Sequence, residues 1–372
     1  MNAELNMEPS FCAIANKQAG EDLIGTAGYY QTYVLIECPL PWVAKVFHSK
    51  SIPAPLRQYV DDIAAKRSVR FLAINRGVSS LNSTTLLVYE RTLSSSWITE
   101  SSANSEVIEG YRGFEFQLDD LTQVAECLEA HWQRDCVGQS ITQKDILICT
   151  HGMRDRCCAR FGQPFFRDTV RSAQAGKLPN TRVWKVSHIG GHRFAPTAIS
   201  FPDGRYYGRL TAAALEMMIT RQGSISLLGS VYRGWGLLPA PLQVLERQLM
   251  LQQGWSWFDS RVRYQILIDT VCERQGDDSG KNLHRLSVEL SFVPKVSQER
   301  LSQQAEAKTT SLAKTYRAEL IQDPDRTVHA KASCDSLVTK PYVKYRVVEC
   351  VQISRTQSAT VPNPTIETSP AV

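Results

Sequence analysis

Four side chains that bind soft metals stand in two pairs within one stretch of the chain. Cys149 and Cys158 are separated by eight residues, and His188 and His192 by three. Each pair begins at the end of a short apolar run that reads as a buried strand, DILIC for the cysteines and VWKVSH for the histidines. Ligands at the carboxyl ends of neighbouring strands can converge on one point. Thiolate and imidazole are the protein groups that hold iron–sulfur clusters and zinc. Two glycines between the histidines argue for a loop that wraps its ligands, because glycine lets backbone pass close to a bound group. The segment THGMRDRC between the cysteines reads as too polar and irregular for core. A cluster and a Cys2His2 zinc site use the same ligand types, so the residues leave both open. The third reading is a thiol-redox site at Cys149 or at the adjacent Cys157 and Cys158. The C-x-x-C helix start that such chemistry uses is absent, and a vicinal disulfide is strained.

The elements that must position these residues follow from periodicity and turn signals. Strands are expected at 28–39, 69–75 and 84–90, with a helix at 53–67 whose apolar positions share one face. A helix at 121–133 leads into the strand 145–149. Next come a helix at 163–176 with Pro164 early, the strand ending at His188, a PTAISF–PDG–RYYG hairpin and a helix at 211–223. The glycine-rich 223–236 reads as a turn-filled loop. Beyond it a helix at 241–255, strands at 261–268 and 284–293, a polar helix at 297–320 and a strand at 343–353 are expected. The resulting division is 1–118 without cluster ligands, 119–225 carrying them, 226–352 as a small α+β appendage, and 353–372 as a disordered tail.

The β-α-β-β-α order, with Pro196 opening a strand that turns at Asp203 and Gly204, resembles a thioredoxin-type half. In that fold a proline in this place is cis and faces the redox site. The expected fold class is therefore α/β, with tandem thioredoxin-like domains. CTHGMRDRCCARFG together with HIGGHRFAPTAISFPDGRYYG, and the N-terminal GEDLIGTAGYYQTYVLIECPLPW, resembles the sucrase/ferredoxin-like family over about residues 10–255. The resemblance implies a [2Fe–2S] cluster with two cysteines on one iron and two histidines on the other. This carries over to Cys149, Cys158, His188 and His192, the spacing selecting Cys158 over Cys157. It implies an electron carrier, with a zinc-stabilised interaction module as the alternative. His151, Arg154, Asp155, Cys157, Arg193 and Pro196 then surround the ligands. Two neutral imidazoles in place of thiolates raise the potential of such a cluster and make it pH-dependent. The glycoside hydrolysis in the family's name needs two flanking carboxylates, and the organised segment holds only Asp155 and Asp168.

Composition is ordinary for a globular protein, with 43% hydrophobic and 21% charged residues among 372. No apolar run is long enough for a membrane span, and the first residues do not read as a signal peptide. A cytosolic protein is expected, with ten cysteines used as metal ligands or free thiols. Cys12, Cys38, Cys127, Cys136, Cys272, Cys334 and Cys350 are scattered and read as small buried hydrophobes. Residues 149–193 carry nine Lys and Arg against two Asp, which is +7 in a chain of net +5 and leaves −2 elsewhere. Such a patch suits a redox partner with an acidic docking face. No P-loop, G-x-G-x-x-G or nucleic-acid-binding module is present.

Overall fold

The computed structural model describes residues 11–66, 68–77, 82–94, 107–272, 283–294, 313–336 and 338–353. In chain order the elements are α1 (Cys12–Gln18), β1 (Thr32–Glu37), α2 (Ala54–Lys66), β2 (Val69–Asn75), β3 (Thr84–Ser94), β4 (Val107–Leu118), α3 (Val124–Gln133), β5 (Gln139–Ser140), β6 (Lys144–Cys149), α4 (Arg156–Gln174) and β7 (Thr181–Val186). There follow β8 (Ala198–Phe201), β9 (Arg205–Tyr207), α5 (Ala212–Thr220), β10 (Tyr232–Trp235), α6 (Ala240–Gln253), β11 (Ser260–Cys272), β12 (Leu283–Pro294), β13 (Lys314–Lys331) and β14 (Thr339–Ile353).

These strands form one mostly antiparallel sheet in the order β10-β9-β8-β6-β7-β2-β1-β3-β4-β11-β12-β13-β14, with β5 alongside β4. Two β-α-β units give it its parallel pairs: β1 with β2 across α2, and β6 with β7 across α4. In each unit the next strand returns antiparallel beside the first, β3 on β1 and β8 on β6. The two units meet through the antiparallel pair β2 and β7. Because side chains alternate along a strand, the central β1 is apolar on both faces. Tyr33 and Leu35 enter a core shared with β6–β10, whereas Val34 and Ile36 pack under α2 and α3.

Several expectations need correction. Helix α4 starts at Arg156, not near residue 163, so Cys157 and Cys158 lie in its first turn and Pro164 lies inside it. Residues 223–236 contain a 3-10 turn at Ile225–Ser230 and the strand β10. The polar helix expected at 297–320 is absent where the chain is described: from Lys314 it is strand β13, and the part before residue 313 lies outside the described residues. The C-terminal part described is thus α6 followed by four long antiparallel strands. The expected tail after 353 and the loose start before 11 also lie outside the described residues. No helix among the described residues is long and apolar enough to cross a membrane.

Candidate metal centre

Strand register brings the first candidate ligands together. Cys149 is the last residue of β6 and is level with Val186 at the end of β7, two residues before His188. After Cys149 the chain turns once and enters α4, capped by Asp155, whose carboxylate accepts the Cys157 N–H at 2.8 Å. This first turn returns Cys158 to the strand end. The close approach depends on Gly162, one turn further on, where an added Cβ would lie 2.0 Å from the Cys149 carbonyl oxygen. One ligand atom from each of Cys149, Cys158 and His188 lies within 4.8 Å of the others. The Cys158 Sγ to His188 Nδ1 distance is 3.7 Å. Both thiols are buried, and hydrogen bonding from Cys158 holds the Cys149 thiol well below its usual range despite burial. Cys158 is pushed up correspondingly, first by that hydrogen bond and then by burial.

The histidine loop is set by cations that the sequence did not single out. Gly190 and Gly191 adopt φ of 79° and 71°, a conformation glycine takes without strain. Arg233 is buried beneath them, donating to the Gly190 carbonyl at 3.1 Å and to the Thr26 carbonyl at 2.6 Å. Its guanidinium occupies the space that a side chain at position 191 would need. Burial lowers its pKa to about 10. Arg70 donates to the His188 carbonyl at 2.9 Å. The His192 ring is 5.3 Å from that of His188, centroid to centroid, and its Nδ1 meets Asp155 Oδ2 at 2.9 Å. Burial opposes the Asp155 charge, but the His192 hydrogen bond and two backbone N–H groups hold its carboxyl well below the usual range.

The remaining expected residues divide. His151 is buried, in contrast with its reading as part of a non-core loop; its Nε2 meets the Val43 carbonyl at 2.9 Å while Nδ1 has no hydrogen-bond partner. Its backbone N–H helps hold the Cys149 thiolate, and burial lowers the pKa of its ring. Arg154 is exposed. Arg193 turns to the buried Glu21, with contacts of 2.8 and 2.9 Å, and lies 3.8 Å over the Tyr342 ring. The Ala195–Pro196 bond is cis, as the thioredoxin-type comparison implies.

Cys157 faces away from Cys158 into a second cluster. Its Sγ lies 3.4 Å from that of Cys12 and 3.2 Å from that of Cys334, and the Cys12 to Cys334 distance is 3.6 Å. Asp155 joins them, with Oδ1 3.2 Å from Cys334 Sγ. Hydrogen bonding from Cys12, against burial, draws Cys157 down to about 7, while burial raises Cys334 to about 11. Cys12 and Cys334 are therefore not isolated hydrophobes. Sequence spacing gave no signal for them, since they stand 145 and 177 residues from Cys157.

The sequence profile of the sucrase/ferredoxin-like family matches residues 23–234, which include Cys149, Cys158, His188 and His192 but neither Cys12 nor Cys334. Among curated proteins the chain is similar to altered inheritance of mitochondria protein 32 of Meyerozyma guilliermondii, 29% identical over 104 residues, covering 26% of this chain and 36% of that protein. The Debaryomyces hansenii protein of the same name is 32% identical over 87 residues, covering 21% of this chain and 32% of that one. The chain thus spans about a third of the length of these relatives. No solved structure matches it significantly. With the profile covering more than half of the chain, and all four paired cysteines and histidines inside the match, the protein belongs to the sucrase/ferredoxin-like family.

Proposed function

We propose that the protein is a single-electron carrier that holds a [2Fe–2S] cluster through Cys149, Cys158, His188 and His192. The observation that carries this reading is the convergence of two buried thiols and one imidazole at adjacent strand ends, with a second imidazole beside them. The donor chemistry fits the group: thiolate and imidazole ligation gives a cluster whose potential lies above that of an all-thiolate one. His192 has Asp155 on Nδ1 and can offer Nε2, the arrangement by which ligating histidines are oriented. The strand orders β9-β8-β6-β7 and β4-β3-β1-β2 support reading both halves as thioredoxin-like, the second carrying the ligands. Exposed Arg154, Arg156, Arg160 and Arg167 flank the site and would meet an acidic redox partner.

A second reading has its own observation. The 3.7 Å between Cys158 Sγ and His188 Nδ1 is a spacing for ligands that share one ion, and ligands on the two irons of a cluster lie farther apart. Zinc at this centre would make the protein a metal-stabilised interaction module. Iron, sulfide and zinc analysis of protein purified without oxygen separates the two. Two irons and two sulfides per chain with visible absorption, lost in Cys149→Ala, are expected. A colourless protein, or a Cys149→Ala variant that keeps its iron, overturns the carrier reading.

A further inference from the structure

We propose that Cys12, Cys157, Cys334 and Asp155 form a second, closed metal site that takes one zinc ion. It is built from residues that the first centre does not use as ligands, and it stands whatever Cys149 and Cys158 hold.

The three sulfurs form a nearly equilateral triangle with sides of 3.2, 3.4 and 3.6 Å. No side approaches the ~2.05 Å of a disulfide. Thiolates on one tetrahedral zinc, with bonds of about 2.3 Å, lie about 3.8 Å apart, so the triangle has the size of a single-ion site in a slightly contracted form. Asp155 Oδ1 lies 3.2 Å from Cys334 Sγ and 3.9 Å from Cys12 Sγ, and a carboxylate oxygen within 4.8 Å of all three sulfurs would supply the fourth ligand. All four residues are buried.

The alternative is a set of neutral thiols that merely pack together. Against it stands the carboxylate. Asp155 is buried among three sulfurs; the Cys157 and Cys334 N–H groups meet part of its hydrogen bonding but bring no net charge. Among the described residues His192 is the one basic side chain within ion-pair distance of it. Arg156 is close but turned outward, to the Cys334 carbonyl and to exposed Asp335. A divalent cation at the centre of the triangle would offset the carboxylate and one of the thiolates. Soft thiolates with one oxygen, all from buried residues, favour zinc over magnesium or calcium.

The site would staple three distant parts of the chain: helix α1, the first turn of α4, and the turn between β13 and β14. It also shares Asp155 with His192, so filling it would fix the imidazole beside the first centre.

The test uses the full chain, purified under reducing conditions. X-ray absorption at the zinc edge is expected to give three sulfur neighbours and one oxygen. Zinc in Cys334→Ser should fall at least tenfold while iron is retained, whereas Cys149→Ala should lose iron and keep zinc. This crossed pattern separates failure of the second site from failure of the carrier reading. Should Cys334→Ser not fold, the wild-type absorption spectrum and peptide mapping decide. Wild-type protein without zinc, zinc with two sulfur and two nitrogen neighbours, zinc content unchanged in Cys334→Ser, or a mapped disulfide between any two of the three cysteines each overturns the proposal.

Discussion

The vicinal cysteines show how finely one helical turn divides its chemistry. Successive residues of a helix point about 100° apart, so Cys157 and Cys158 face different neighbours: one joins Cys12 and Cys334, the other Cys149 and His188. The choice of Cys158 as the partner of Cys149 came from the family resemblance, and the structure places these two thiols within 4.8 Å of each other. The fate of Cys157 was not legible, because its partners lie far off in sequence. At this scale the donor type at position 188 should set the potential. A neutral imidazole adds no charge, whereas a thiolate adds one and disfavours the reduced form. His188→Cys is expected to retain iron and to lower the midpoint potential, as followed by redox titration of the visible spectrum. A potential that is unchanged or raised would count against His188 as a ligand. Arg233 acts on the same loop from below. Arg233→Ala, which strands the Gly190 and Thr26 carbonyls in a buried space, should cost about 2–4 kcal/mol in denaturant melts.

At the scale of elements, the packing of α4 against the end of β6 holds the cysteines in place. Gly162→Ala puts a methyl group against the Cys149 carbonyl, where only backbone can give way. A loss of about 1–3 kcal/mol, together with reduced metal retention, is expected from thermal melts and metal analysis. Stability unchanged from wild type would mean that the helix can back away freely. Strands such as VRFLAIN and DILIC were legible because apolar, β-branched runs bounded by turns have few other uses. The misreadings have physical causes. β10 lies in a glycine-rich stretch that looks like a loop, yet Gly234 takes φ of 134° within the strand and lets the buried Gln243 side chain approach. In β13, Ala318 and Leu320 are buried in alternation with more exposed residues, a period-2 signal that the polar, helix-favouring residues before it obscured. Helix α1 has seven residues, too short for a periodic signature.

At the scale of the molecule, the strands of the two β-α-β units and the C-terminal strands share one sheet, and a buried charge network ties its distant parts. Glu21, in the N-terminal segment, holds Arg193 of the histidine loop and Lys344 of β14, the latter at 2.7 Å. Burial would raise the Glu21 pKa, but these two cations outweigh it and leave it below the usual value. A carboxyl with a depressed folded pKa contributes stability that is complete above its unfolded pKa, about 4.3, and is lost as the pH falls through the folded value. Unfolding free energy measured from pH 7 down to pH 3 should therefore drop on the acid side. Glu21→Gln should flatten that limb and cost about 3–5 kcal/mol at neutral pH, by leaving the cations buried without a partner. An acid limb equally steep in the variant would remove Glu21 from this role. None of this network was legible, since its members gain meaning only from the sheet that gathers them.

The three clustered thiols also impose a timetable on synthesis. Cys12 and Cys334 are 322 residues apart, so the ribosome must make nearly the whole described chain before the third sulfur exists. At the 5–20 residues per second typical of translation, Cys157 waits roughly nine to thirty-five seconds for it, the time for 177 residues, and Cys12 longer. If the nascent chain already brings these two to the 3.4 Å of the finished fold, they are open during that interval to joining each other. The last hairpin, remote from the paired ligands in sequence, thereby becomes the element whose arrival ends a period of vulnerability to oxidation for a nascent chain.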